Sequence, residues 1–241
     1  MLQTINANRT AGPRRVFLCV LTAAITLFAA PRMQAADKQD DEDTLQKANI
    51  VLSSMFSGGT IPANVLAKTK CVVILPGVKK FGVGVGGSGG RGPMLCRGGE
   101  NFTGGWSTPA MMTIGGASIG LQVGGSSTDF VLLVMDQKVV TQMLSGKTKM
   151  GTDATAAAGP SGATAAAATD AQVYSYGRAK GLFAGVSVSG ASVSPDNDAN
   201  DRLYGNHPDA SSIVRGSSVH PTPGGQTLIS TLNSKTHSHG K

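Results

Sequence analysis

Aromatic side chains are scarce in this chain, which has one Trp, three Tyr and seven Phe among 241 residues. A surface that stacks nucleic-acid bases needs several aromatics beside a strong basic stripe. Charged residues are also few, at 15% of the total. Four arginines and no acids fall within residues 1–36, so the rest of the chain carries 17 basic against 14 acidic side chains, a net of +3 instead of +7. That balance and the missing aromatics argue against nucleic acid as a partner. Long hydrophobic runs are lacking too. The apolar stretch from Val16 to Ala30 is shorter than the roughly 20 residues that cross a bilayer, and no other segment resembles a span. Cysteines number three. Cys19 follows the bulky Phe17 and Leu18, where lipid attachment needs small residues. The residues leave open whether Cys71 and Cys96 pair in an oxidising compartment or remain two small buried thiols.

What is present first is the layout of a cleavable export signal over residues 1–36. Arg9, Arg14 and Arg15 precede the apolar run, Pro31 breaks it, and Ala35-Ala36 supplies small residues. Arg14-Arg15-Val16-Phe17-Leu18 fits a twin-arginine route as well as an ordinary one. The expected location is therefore periplasmic or extracellular, peripherally associated with membrane. An acidic leader follows at residues 37–44, with five acids against one Lys between Asp37 and Asp43. Residues 47–205 are mildly basic, with thirteen Lys/Arg against eight Asp/Glu.

Asp43 and Gln46 have the spacing of a capping box. Leu45, Ala48, Val51, Leu52, Met55 and Phe56 then recur at helical spacing until Gly58-Gly59, which reads as a helix docked on a core. Pro62 to Thr69 predicts a second short helix. From Cys71 onward, glycine and serine punctuate apolar runs: Val72–Leu75, Phe81–Gly87, Trp106–Ile114, Ser118–Val123 and Phe130–Met135. Asp136 caps a third helix with Val139, Val140, Met143 and Leu144 on one face and Gly146 at its end. The alanine-rich stretch 151–169 reads as two short strands around a turn. The Val/Ser alternation ending at Ser194 reads as a half-buried strand, and Asp196 to Tyr204 as a final helix. Beyond Gly205 the residues are mostly Ser, Thr, Pro, Gly and His, and 206–241 is expected to be a disordered polar tail.

Motifs for chemistry lack their contexts. The glycines at 82, 84 and 86–87 match a dinucleotide fingerprint, but Ser88 to Pro93 cannot start the helix that would face a pyrophosphate. Gly116-Ala117-Ser118-Ile119-Gly120 matches a serine-hydrolase elbow, with Asp129 or Asp153 and His207 following. Yet the residues after it continue as strand and turn. Asp196, Asp198 and Asn200 begin like a calcium loop whose required glycine is Asp201 here. No catalytic, cofactor or metal set is left standing. The cations do form a pattern: Lys79-Lys80-Phe81 and Arg178-Ala179-Lys180-Gly181-Leu182-Phe183 each place basic groups next to apolar ones. Anionic lipid surfaces attract such segments.

At these residues the chain resembles the SYLF domain family, a lipid-binding domain of actin-linked eukaryotic membrane proteins and exported bacterial proteins. The resemblance covers residues 45–205. It rests on Ile61 to Lys68, Trp106 to Ala110, Thr128-Asp129-Phe130, Gly159-Pro160, Tyr174 to Ser187 and Arg202-Leu203-Tyr204-Gly205. It implies a non-catalytic, lipid-binding domain. The N-terminal segment, basic and amphipathic in eukaryotic relatives, is acidic here, so a generic anionic phospholipid is expected rather than a particular phosphoinositide. The expected fold is α+β: a glycine-rich, largely antiparallel sheet, closing toward a barrel, flanked by short helices. Lys79, Lys80, Arg178 and Lys180 are the expected headgroup contacts, and Phe81, Leu182 and Phe183 the apolar ones. An envelope module that binds protein or glycan, and a serine hydrolase built on Ser118, are the alternatives.

Overall fold

A computed structural model describes residues 30–83, 85–119, 126–160, 171–179, 182–216 and 219–237. The chain divides into two units, Met1–Asp37 and Lys38–Lys241. Of the first, residues 30–37 are described, as the opening turns of helix α1 (Ala30–Ser57). Most of the expected export signal lies outside the described residues.

The second unit is built on a nine-stranded sheet. Its strands are β1 (Cys71–Val83), β2 (Val85–Cys96), β3 (Ala110–Ile119), β4 (Ser126–Val134), β5 (Thr148–Lys149), β6 (Ala156–Ala158), β7 (Val173–Ala179), β8 (Leu182–Gly185) and β9 (Ser192–Pro195). The order is β5-β9-β3-β2-β1-β4-β7-β6, with β8 also pairing with β7. All of these pairings are antiparallel except β6 with β7. The result is the expected α+β architecture, a curled mixed sheet forming half a barrel, with short helices around it. Those helices are α2 (Ala63–Lys68), α3 (Gln137–Ser145), α4 (Asn197–Tyr204), α5 (Ala210–Arg215) and α6 (Pro223–His237).

Successive residues of a strand face opposite sides of the sheet, and here both sides are buried. Val73, Leu75, Leu132 and Val134 join a core with α3 and α5. Val72, Ile74, Val131 and Leu133 join another with α1, α2, α4 and α6. This explains why the central strands read as unbroken apolar runs instead of alternating ones. The helix α1 stripe packs as expected: Leu45, Ala48, Val51, Leu52 and Met55 are all buried. Helix α3 also matches, with the Asp136 carboxylate accepting from Lys138 and Val139 N–H groups and Gly146 at its end.

Cys71 and Cys96 face each other across β1 and β2 and form a disulfide. It closes a loop with a sequence separation of 25, a constraint on the unfolded chain of about 3 kcal/mol. Close approach explains particular glycines. A Cβ at Gly92 would lie 2.0 Å from the Ile74 carbonyl oxygen, and one at Gly159 only 2.2 Å from the Tyr176 ring. Tyr176 is fully buried and its hydroxyl donates to the Pro160 carbonyl at 3.0 Å.

Several expectations are corrected. Asp43 does not cap a helix, because α1 already runs through it from Ala30. Nor are residues 37–44 a leader outside the domain. Asp41 is fully buried, paired with Arg91 at 2.6 Å and with Arg202 at 2.7 Å. Residues 206–241 are not a disordered tail over their described part. Helices α5 and α6 bury Ile213, Val214, Leu228 and Leu232, and each such aliphatic side chain contributes on the order of 2 kcal/mol. Leu228 and Leu232, four residues apart, put one apolar stripe on an otherwise polar helix. Glu42 accepts from the Gly224 N–H, and the Thr231 hydroxyl donates to the Asn49 side chain at 2.7 Å. Phe81–Gly87 is not one strand, since β1 ends at Val83, which pairs with Val85. The Val/Ser alternation at 186–189 lies between β8 and β9. Val188 is buried, but Ser189-Gly190 turns the chain. Of the two strands expected in the alanine-rich stretch, β6 is present, and residues 161–170 lie outside the described ones.

Replacing Asp41 with Ala strands two arginines, and chemical denaturation should report a loss of about 3 kcal/mol. Gly159→Ala should cost about 2 kcal/mol by the same measurement, because neither the buried ring nor the backbone can yield. A neutral result at position 159 would mean that the Tyr176 ring moves freely.

Candidate anion-binding groove

A groove of about 610 Å³ lies between α1 and the sheet. Thr44, Lys47 and Ile50 form its helical wall, and Lys79, Arg91 and Arg178 reach it from β1, β2 and β7. Gly77, Gly89 and Gly90 lie along the same wall of the sheet. Gly89 has no side chain to fill the space between helix and strands, whereas a Cβ at Gly90 would lie 2.8 Å from the Val78 side chain in the core on the other face. Four cations therefore converge on one concavity.

Two of the four are ion-paired with structural carboxylates. Arg91 pairs with Asp41. Arg178 is held by Asp129 through Nε at 2.7 Å and a terminal nitrogen at 2.5 Å. The other Asp129 oxygen accepts the Gly77 N–H at 2.8 Å. Gly77 sits at φ +62°, where the pairing of β1 with β4 shifts register between Leu75 and Val78. Asp129 thus secures the bulge and aims Arg178 across the groove, where its NH1 also reaches the Ser54 hydroxyl at 3.4 Å. Lys47 and Lys79 are exposed and make no ion pair among the described residues.

The expected site residues separate. Lys79 and Arg178 meet in the groove. Lys80, one residue on, faces the opposite side of the strand, 5.8 Å from the centre of the Phe130 ring. Leu182 is 77% exposed. Phe183 is partly buried against the core beneath α1, with the Arg178 guanidinium 5.5 Å from its ring centre. The Phe81 side chain and all of Lys180 lie outside the described residues. Lys47, Ile50 and Arg91 are groove residues that the sequence reading did not single out as ligand contacts. Lys47 and Ile50 sit three residues apart on one face of α1, a signal that attention to the buried stripe passes over.

The hydrolase constellation does not assemble. Ser118 lies within β3, paired with Gly86, and the next described element is β4 rather than the helix a nucleophile elbow requires. His207 is exposed beside Asp201 at 3.1 Å. Asp196, the first residue of the calcium-like run, caps α4 through the Ala199 N–H.

Residues 115–235 match the family described as Ysc84, Las17-binding protein actin regulator. The chain is 34% identical over 182 residues to LAS seventeen-binding protein 3 of Saccharomyces cerevisiae, covering 73% of this chain and 39% of that protein. It is 33% identical over 182 residues to Protein YSC84 of the same organism, covering 73% and 38%. It is 34% identical over 149 residues to human SH3 domain-containing YSC84-like protein 1, covering 60% and 42%. The chain spans less than half the length of these relatives. The family's description is that of a binding regulator, consistent with a chain that is not an enzyme.

Two phenols near these elements carry a pH prediction. Burial, then the neighbouring Tyr174, pushes the Tyr176 hydroxyl well above the usual 10.0. Burial, then Glu42, does the same to Tyr204. The unfolded chain releases these protons first, so the stability they contribute is complete below about pH 10 and falls as pH rises beyond it. Phenolate absorbance from Tyr176 and Tyr204 should appear only together with loss of secondary structure. Its appearance in a folded protein at pH 10 would contradict their burial.

Proposed function

The chain belongs to the Ysc84 family of SYLF domains, and we propose that this member binds anionic phospholipid headgroups peripherally, in the envelope of an exporting bacterial cell. The observation that carries the proposal is the convergence of Lys47 and Lys79, without an ion pair among the described residues, with Arg91 and Arg178 on one groove. Ile50 lines that groove at 63% exposure, and Leu182 lies in the strand beside Arg178 at 77%. These are the exposed large apolar side chains among the described residues. Basic groups near a membrane surface contribute about 1 kcal/mol each, and the apolar pair adds contact with the acyl boundary. Lys47 and Lys79 supply the headgroup charge, while Arg178 acts chiefly through its ion pair with Asp129. The chemistry is that of any anionic headgroup and is not specific to a phosphoinositide.

A second reading is a protein-binding module, favoured by the family description as a Las17-binding actin regulator. The groove and its apolar rim would then receive an acidic segment of a partner.

Co-sedimentation with vesicles of phosphatidylglycerol and phosphatidylcholine separates the two. The Lys47→Glu/Lys79→Glu variant should bind anionic vesicles at least about thirtyfold more weakly at low salt. Leu182→Asp should weaken binding as well, and wild-type binding should fall as salt rises. Equal binding to neutral vesicles, or no effect of the paired lysine changes, would sink the lipid reading. Pull-down of a protein from lipid-free extract that those changes abolish would favour the second.

A further inference from the structure

A second cationic corner lies at the other end of β1. Nine residues of strand separate Lys70, just before β1, from Lys79, a distance of roughly 30 Å, so one headgroup cannot occupy both places. The loop leaving β2 closes on itself there: the Gly98 N–H donates to the Gly105 carbonyl at 2.8 Å, and the Gly104 N–H to the Gly98 carbonyl at 2.9 Å. Phe102 is held in the left-handed region at φ +55° with its ring buried, a conformation that non-glycine residues adopt mainly where the surroundings enforce it. Lys70 lies 5.3 Å and Arg215 5.4 Å from the Phe102 ring centre. Arg97 lies 4.9 Å from the ring centre of Trp106. A cavity of about 300 Å³ opens beside them, lined by Arg97, Gly98, Gly99, Glu100, Phe102 and Arg215, among others.

Lys70, Arg97 and Arg215 form no ion pair among the described residues, and neither does Glu100. Arg97 Nε is buried without a hydrogen-bond partner. Burial lowers the pKa of that guanidinium from its ordinary value. A desolvated cation without a counter-charge is unfavourable, and contact with an aromatic face recovers only part of the loss. Three cations against one acid leave a local excess of two positive charges.

We propose that this corner is an oxyanion site that takes a phosphate monoester group, with Arg97 and Arg215 as its ligands. A phosphate monoester carries a charge of about −1.5 to −2 at neutral pH, which matches the local excess. Guanidinium groups are suited to paired hydrogen bonds with its oxygens. The site is independent of the groove beneath α1 and shares no residue with it.

Trp106 is the only tryptophan in the sequence and stacks on Arg97, so its fluorescence reports on the site. The full chain is titrated with sodium phosphate, with sodium chloride at matched ionic strength as the control. A saturating change in Trp106 emission is expected with phosphate alone. Arg97→Gln and Arg215→Gln should each weaken it about tenfold, while Lys79→Glu should leave it intact. Arg215 is exposed, so its variant keeps the test decisive even where Arg97→Gln fails to fold. Glycerol 3-phosphate and phosphatidic acid vesicles identify the source: a response to both makes a lipid headgroup a natural occupant, and a response to the soluble ester alone assigns a soluble one. No saturating change, an equal response to chloride, or indifference to Arg215→Gln overturns the proposal.

Discussion

Asp41 is a carboxylate with no exposed surface, clamped between Arg91 of β2 and Arg202 of α4, and the placement of α1 follows from it. A buried carboxylate is tolerated only when charge and hydrogen bonds surround it. Here the partners come from chain segments 50 and 161 residues away. The same stretch of α1 receives α6 through Glu42 and Asn49. What reads as an acidic leader is therefore the polar fastening of three helices. The apolar stripe from Leu45 to Met55 then has one way to lie on the sheet.

Once α1 is fixed, the groove beside it is a consequence of composition. Glycines at 77 and 89 leave room beside the facing strands, and Asp129 uses one carboxylate both to hold the bulge at Gly77 and to aim Arg178. Two of the stretches that carry the family resemblance, around Thr128-Asp129-Phe130 and around Arg178, are thereby one structural unit. Arg178 is first a member of the fold and only second a surface cation. Lys47 and Lys79, with no paired carboxylate among the described residues, give the groove its uncompensated charge.

Much of the fold was legible in particular residues. Asp136 and Gly146 bound α3 because capping is local chemistry, satisfied within a few residues. The α1 stripe was readable because one-sided burial imposes a period on the sequence, and the central strands because burial on both faces makes them compact apolar runs between glycines and serines. The tail was not, because Ile213, Val214, Leu228 and Leu232 are few among polar neighbours and acquire meaning only where a core is waiting for them. Lys79 and Lys80, adjacent in the chain, looked like one site, and a strand necessarily sends them to opposite faces. The Cys71–Cys96 bond is not legible in the residues for the same kind of reason, since pairing depends on register.

By itself the sequence determined the helix stripes and caps up to residue 205, the apolar strand runs, the family and the shortage of aromatic and catalytic groups. These depend on side-chain period, cap chemistry and composition, all of which are properties of contiguous residues. Tertiary structure alone decided which cations share a cavity, which are already ion-paired, and which remain to meet a ligand. Those outcomes depend on pairing between residues distant in sequence, where a difference of one register position sends a lysine to the other face of the sheet.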